Sequence, residues 1–88
     1  MLDFYFINQF KKDLKLAEKR HQNIDAVFDV IIDIILETPL PDRCRPHNLS
    51  GNLSKYTECH AINDILLLYE INEEKVIFAR LGTHSDLF

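Results

Sequence analysis

Ile65-Leu66-Leu67-Leu68-Tyr69-Glu70-Ile71-Asn72-Glu73-Glu74-Lys75-Val76-Ile77-Phe78-Ala79-Arg80-Leu81 is the stretch on which the fold turns. Two runs rich in aliphatic and aromatic residues flank Asn72-Glu73-Glu74, a polar connection of hairpin length. They read as antiparallel strands over Ile65–Ile71 and Lys75–Leu81. Just upstream, Asn63-Asp64 supplies a second tight turn. Tyr56–Ala61 therefore reads as a further strand, antiparallel to the first of the pair.

The period changes before this region. Leu2–Ile7 is aromatic and β-branched, which suits a first strand. Asn8 is a candidate cap for a helix running to about Arg20, with Phe10, Leu14 and Ala17 as its apolar stripe. Asn23 is a candidate cap for a second helix that buries Val27, Phe28, Ile31, Ile32 and Ile35. Pro39 and Pro41 end that helix near Thr38, and a loop follows to about Lys55. The expected fold is α+β, in the order β-α-α-β-β-β. Two N-terminal helices pack on a mainly antiparallel sheet, and residues 1–88 form a single domain. Lys11, Lys15 and Lys19 make one charged ladder, and Asp25, Asp29, Asp33 and Glu37 make another. The two ladders either face each other in a helical hairpin or stay apart in solvent.

Composition narrows the function. No apolar run approaches the roughly 20 residues of a membrane span. The N-terminus lacks the basic region of a signal peptide, so a cytoplasmic protein is expected. Cys44 and Cys59 make no disulfide framework. The net charge of −4 is unlike the basic balance of most nucleic-acid binders. The charge is unevenly spread: residues 38–60 carry Arg43, Arg45 and Lys55 against Asp42 and Glu58.

Strand alternation places Tyr56, Glu58 and His60 on an open face, with Thr57, Cys59 and Ala61 turned to the helices. On the last strand the same rule groups Val76, Phe78 and Arg80, opposite Ile77, Ala79 and Leu81. Arg80 is thereby expected to share the open face with Glu58 and His60, all three reachable by solvent. Imidazoles move protons near neutral pH, and a guanidinium binds phosphate oxygens. Tyr56 or Phe88 can stack on an unpaired base. Each residue also has a plainer role. His21 suits a helix end, His47 is a loop residue, Asp64 a turn residue, Glu58 a polar strand residue, and Phe88 a plug for the C-terminus. A nitrogen–oxygen metal site from His47, His60, His84 and Glu58 or Asp64 ranks below a metal-free, cofactor-free site, because no paired ligand motif is present.

Five segments together resemble the YafQ-like branch of the RelE/ParE superfamily of bacterial type II toxins. They are Asp13 to His21, His47-x-Leu49-x-Gly51, Tyr56-Thr57-Glu58-Cys59-His60, Asp64 to Tyr69, and Arg80-Leu81-Gly82-Thr83-His84-Ser85-Asp86-Leu87-Phe88. The resemblance implies a RelE-like fold and a ribosome-dependent endoribonuclease that cuts mRNA without a metal. It implies a cognate antitoxin as partner, with operator DNA bound only through the antitoxin complex. It places the site at His47, Glu58, His60, Asp64, His84 and Phe88, with His84 as leading general acid/base. Tyr56 and Arg80 join from strand alternation as substrate contacts. The alternative is a non-catalytic relative that acts by protein binding, as in gyrase inhibition or autorepression. The chain departs from the family pattern at Asn52-Leu53, Lys55, Asn48 and Pro46.

Overall fold

A computed structural model describes residues 1–88. In chain order the elements are β1 (Asp3–Phe6), α1 (Asn8–Lys19), α2 (Ile24–Leu36), β2 (His47–Asn48), β3 (Thr57–Ile62), β4 (Ile65–Asn72), β5 (Lys75–Thr83) and α3 (His84–Leu87). Short 3-10 turns at Asp42–Cys44 and Gly51–Leu53 flank β2. The sheet has five strands in the order β1-β5-β4-β3-β2. Only β1 runs parallel to its neighbour, β5. The expected α+β arrangement is present, with two additions: the two-residue β2 inside the anticipated loop, and the terminal turn of helix α3.

The turns follow local chemistry. Both hairpin loops are two residues long, and each opens with a left-handed residue, Asn63 at φ 46° and Glu73 at φ 59°. Asn23 caps α2 as expected, its Oδ1 accepting from the Ala26 N–H at 3.1 Å. Asn8 does not cap α1. Ile7 holds that position with no side-chain hydrogen bond, and Asn8 is the first helical residue. His21 ends α1 in the left-handed region, at φ 58°. The N–H groups of His21 and Gln22 return to the carbonyls of Glu18 and Ala17, both at 3.0 Å, and satisfy the helix end.

The buried stripe of α2 is Val27, Val30, Ile31, Ile34 and Ile35. Ile32, expected in the core, is 48% exposed. Five residues on from Val27, it lies about 140° around the helix, outside the stripe. Phe10 of α1 and Phe78 of β5 are fully buried, with ring centroids 5.7 Å apart. The lysine and acidic ladders do not meet. No ion pair joins α1 to α2, so the ladders are two separate solvated faces.

One irregularity decides which residues face out. Leu68 pairs with Arg80 while Tyr69 pairs with Phe78, so Ala79 is an extra residue in β5. The bulge inverts alternation along the strand. Val76 and Phe78 lie in the helix-side core together with Leu81, which corrects the expected grouping of Val76 and Phe78 with Arg80. Arg80 still reaches the open face, because the bulge turns it there. Without the extra residue, a strand with Phe78 in the core would bury Arg80 as well.

Candidate functional site

One row of residues crosses the open face of the sheet. His47 of β2 pairs with Glu58 of β3, Glu58 with Leu68 of β4, and Leu68 with Arg80 of β5. Four strands at about 4.8 Å spacing put His47 and Arg80 roughly 14 Å apart along this row. A second row runs from His60 through Leu66 to Gly82. Ile65 pairs with Thr83, so the turn carrying Asp64 lies beside the strand end from which His84 starts.

His47 and Glu58 form an ion pair, with Nε2 3.3 Å from Oε1. The other ring nitrogen, Nδ1, donates to the Arg45 carbonyl at 3.0 Å. An imidazolium satisfies both partners at once, since both of its nitrogens donate. Glu58 lies on the expected face but is only 8% exposed, so it is not solvent-accessible as anticipated. Its carboxylate sits in the sheet under the exposed His47 and orients that ring. His60 is half-buried beside His47, and both line a hollow of about 450 Å³ with Arg45 and Pro46.

Arg80 is not a free cation. Its Nε donates to Asp13 Oδ2 at 2.9 Å, and Nη2 lies 3.5 Å from Oδ1. Asp13 is 7% exposed and also accepts from the Leu81 N–H at 2.9 Å and from Gln9 Nε2 at 3.1 Å. The buried carboxylate is therefore satisfied on both oxygens. It fixes the guanidinium where Arg80 borders the sheet's open face. Asp13 was absent from the expected site. A signal was present in the sequence: it stands between Phe10 and Ala17 on the buried stripe of α1, where an acid needs a partner.

The C-terminal tail folds back over this face. Thr83 caps α3, accepting from the Asp86 N–H at 3.2 Å, while Asp86 Oδ2 accepts from the Thr83 N–H at 3.0 Å. Arg20, at the end of α1, donates to Asp86 Oδ2 at 2.8 Å. The hydrogen bond from Arg20, helped by Thr83, holds the Asp86 carboxyl at about 2, well below its usual range. A Cβ at Gly82 would come within 3.0 Å of the Asp86 Cβ. Gly82 thus serves close approach of the tail. It is a strand residue without a positive φ, so backbone freedom is not its role. The His84 ring lies against Phe88, centroids 5.1 Å apart. Phe88, Tyr56, Leu68 and Arg80 line a mostly apolar hollow of about 210 Å³.

The structure thus gathers Tyr56, Arg80 and Phe88 in one hollow, with His84 against Phe88, and His47, Glu58 and His60 in a neighbouring group. Asp64 is exposed in its turn and makes no ion pair with any histidine. No three His, Cys, Asp or Glu side chains are grouped to hold a metal ion, so the alternative nitrogen–oxygen site does not assemble. No helix is long and apolar enough to cross a membrane. Cys44 and Cys59 are free thiols, both fully buried behind the sheet. Burial pushes the Cys59 thiol up to about 12, and it also raises Cys44 and the Tyr69 hydroxyl.

The chain has relatives among known proteins, in sequence and in fold. A family model described as a bacterial toxin of type II toxin-antitoxin system, YafQ, matches residues 2–88. The chain is 34% identical to the "mRNA interferase toxin YafQ" of Escherichia coli K12, over 98% of this chain and 95% of that protein. The crystal structure of the E. coli DinJ-YafQ toxin-antitoxin complex superposes with a TM-score of 0.91 at 34% identity, covering 99% and 97% of the two chains. A copper-bound mutant toxin from Helicobacter pylori superposes with a TM-score of 0.93 at 30% identity over the whole of both chains.

Proposed function

The chain belongs to the YafQ family of bacterial type II toxins, and from that premise we propose that residues 1–88 act as one toxin domain, a ribosome-dependent endoribonuclease. It cuts mRNA in the cytoplasm by metal-independent general acid/base catalysis. A cognate antitoxin neutralises it, and operator DNA is reached only through that complex.

The observation that carries this reading is the open face itself. Proton-transfer groups and an immobilised guanidinium stand on one surface, with two aromatic rings beside them. Arg80 holds a phosphate oxygen and stabilises the charge that develops on phosphorus. A histidine takes the proton from the ribose 2′-hydroxyl, and the 2′-oxygen bonds to phosphorus. The bond from phosphorus to the 5′-oxygen breaks, and a protonated histidine returns a proton to that oxygen. A cyclic phosphate and a 5′-hydroxyl result. His84, on the exposed tail, is the leading acid/base. His60 and His47 assist, with Glu58 orienting His47 and Asp64 placed at the strand end near His84. Phe88 and Tyr56 stack on the base.

The test is mRNA cleavage mapped on programmed ribosomes. His84→Gln should lower the rate by 10²–10⁴, in the range typical for loss of a general acid/base, while fold and antitoxin binding persist. Cleavage at the parent rate would remove His84 from the mechanism.

A further inference from the structure

Arg80 shares its charge with Asp13, whereas two other arginines beside the histidines have no acidic partner. Arg43 and Arg45 flank Cys44, which is fully buried and pins the Asp42–Cys44 turn against β3. Arg43 Nη1 donates to the Ala61 carbonyl at 3.2 Å, which lays its guanidinium across the end of β3. Arg45 adopts the left-handed region at φ 45°, unusual for a long side chain. That conformation turns the chain through Pro46 so that His47 enters β2, and it presents the Arg45 carbonyl to His47 Nδ1. Neither arginine takes part in an ion pair. Together with His60, Ile62 and Asn63 they line a hollow of about 340 Å³. This hollow has no acidic residue in its wall, and Arg45 and His60 also line the hollow that holds His47. In a chain of net charge −4, this is a localised concentration of positive charge.

We propose that the Arg43–Arg45–His60 hollow is a second phosphodiester subsite, which takes a backbone phosphate of single-stranded RNA flanking the one that is cut. The inference rests on the ribonuclease reading above and adds to it the residues that hold the strand. Guanidinium forks suit phosphate oxygens, and a fixed Arg43 loses little freedom on binding. The site lies beyond His60, away from the aromatic hollow at Phe88. A strand held there and stacked at Phe88 would lie across the proton-transfer groups.

The experiment measures binding of a short RNA, 2′-O-methylated throughout so that it cannot be cut, by fluorescence anisotropy between about 50 and 200 mM salt. Arg43→Gln with Arg45→Gln should weaken binding roughly tenfold or more. It should also lower the slope of log affinity against log salt by about 0.7 for each phosphate no longer neutralised. Arg43→Lys with Arg45→Lys should keep most of the slope, which separates removal of charge from a disturbed turn. Equal affinity and slope for parent and the double Gln variant, or no salt-sensitive binding by the parent, would overturn the proposal. So would preferential binding of an RNA hairpin, which would assign the hollow to folded ribosomal RNA. Loss of cutting in His84→Gln is read separately, on programmed ribosomes. If His84→Gln instead cuts mRNA at the parent rate, the catalytic assignment fails and the phosphate subsite stands.

Discussion

Asp13 of α1 and Arg80 of β5 are joined at 2.9 Å, and the same Asp13 oxygen accepts the Leu81 N–H at 2.9 Å. Pairing of β1 with β5 stops at Phe6 and Phe78, because the chain turns into α1. Beyond that point the edge of β5 has no neighbouring strand. Asp13 takes the place of the missing strand and fixes the residue proposed to hold phosphate.

Asp13→Ala leaves the buried Leu81 N–H without a partner, which costs about 1–3 kcal/mol. It also frees Arg80 to swing. We expect a lower thermal midpoint and weaker cleavage, measured by calorimetry and by cutting on programmed ribosomes. Arg80→Lys retains charge but not the fork, and should cut poorly while folding normally. Undiminished cleavage by both variants would show that Arg80 has no role.

Arg20 and Gly82 both support the tail through Asp86. Arg20→Ala releases Asp86, and Gly82→Ala drives a Cβ into it. Either change should displace His84 and Phe88 and reduce cleavage by roughly 10–100-fold, as small misplacements do, with little change in the core. Nuclear magnetic resonance of the His84 and Phe88 rings would report the displacement directly.

The same ion pair sets an acid limit. The Asp86 carboxyl is held below its ordinary value of 3.8, at about 2. A depressed carboxyl stabilises the docked tail above its ordinary value, and that contribution is lost as pH falls through the folded value. Docking of α3 should therefore persist down to pH 4 and loosen progressively toward about 2. In Arg20→Ala the loosening should begin at higher pH. A ring-shift titration that shows no such difference would contradict the account.

Much of this arrangement was legible in the sequence because it depends on local rules. The Asn23 cap, the proline stop after α2 and the two tight turns are properties of neighbouring residues. What was not legible depends on distant ones. The extra residue at Ala79 shows only in the pairing of β4 with β5, so alternation read straight through misplaced Val76 and Phe78. β2 is two residues long and exists because Glu58 and Thr57 offer an edge to His47 and Asn48. Resemblance to a family marked His47, His60, His84, Glu58, Asp64 and Phe88. It did not supply Asp13, Arg20 and Asp86, which act by holding other residues in place.

Buried thiols give a check on the strand faces that is independent of catalysis. Cys59 is fully buried, and its thiol is pushed up to about 12. The thiolate is the reactive form, so native protein should resist thiol reagents at mild alkaline pH and react only after unfolding. Rapid labelling of Cys59 in the native protein would mean that β3 presents its other face to solvent.

On the proposed mechanism this face cuts RNA through the 2′-hydroxyl. The most direct measurement compares an mRNA with its counterpart carrying a single 2′-deoxy nucleotide at the mapped cleavage position, both on programmed ribosomes. The all-ribose strand should yield a 2′,3′-cyclic or 3′-phosphate and a 5′-hydroxyl, and the 2′-deoxy strand should stay intact at that position. Cleavage of the 2′-deoxy strand there, or products with a 5′-phosphate and a 3′-hydroxyl, would contradict it.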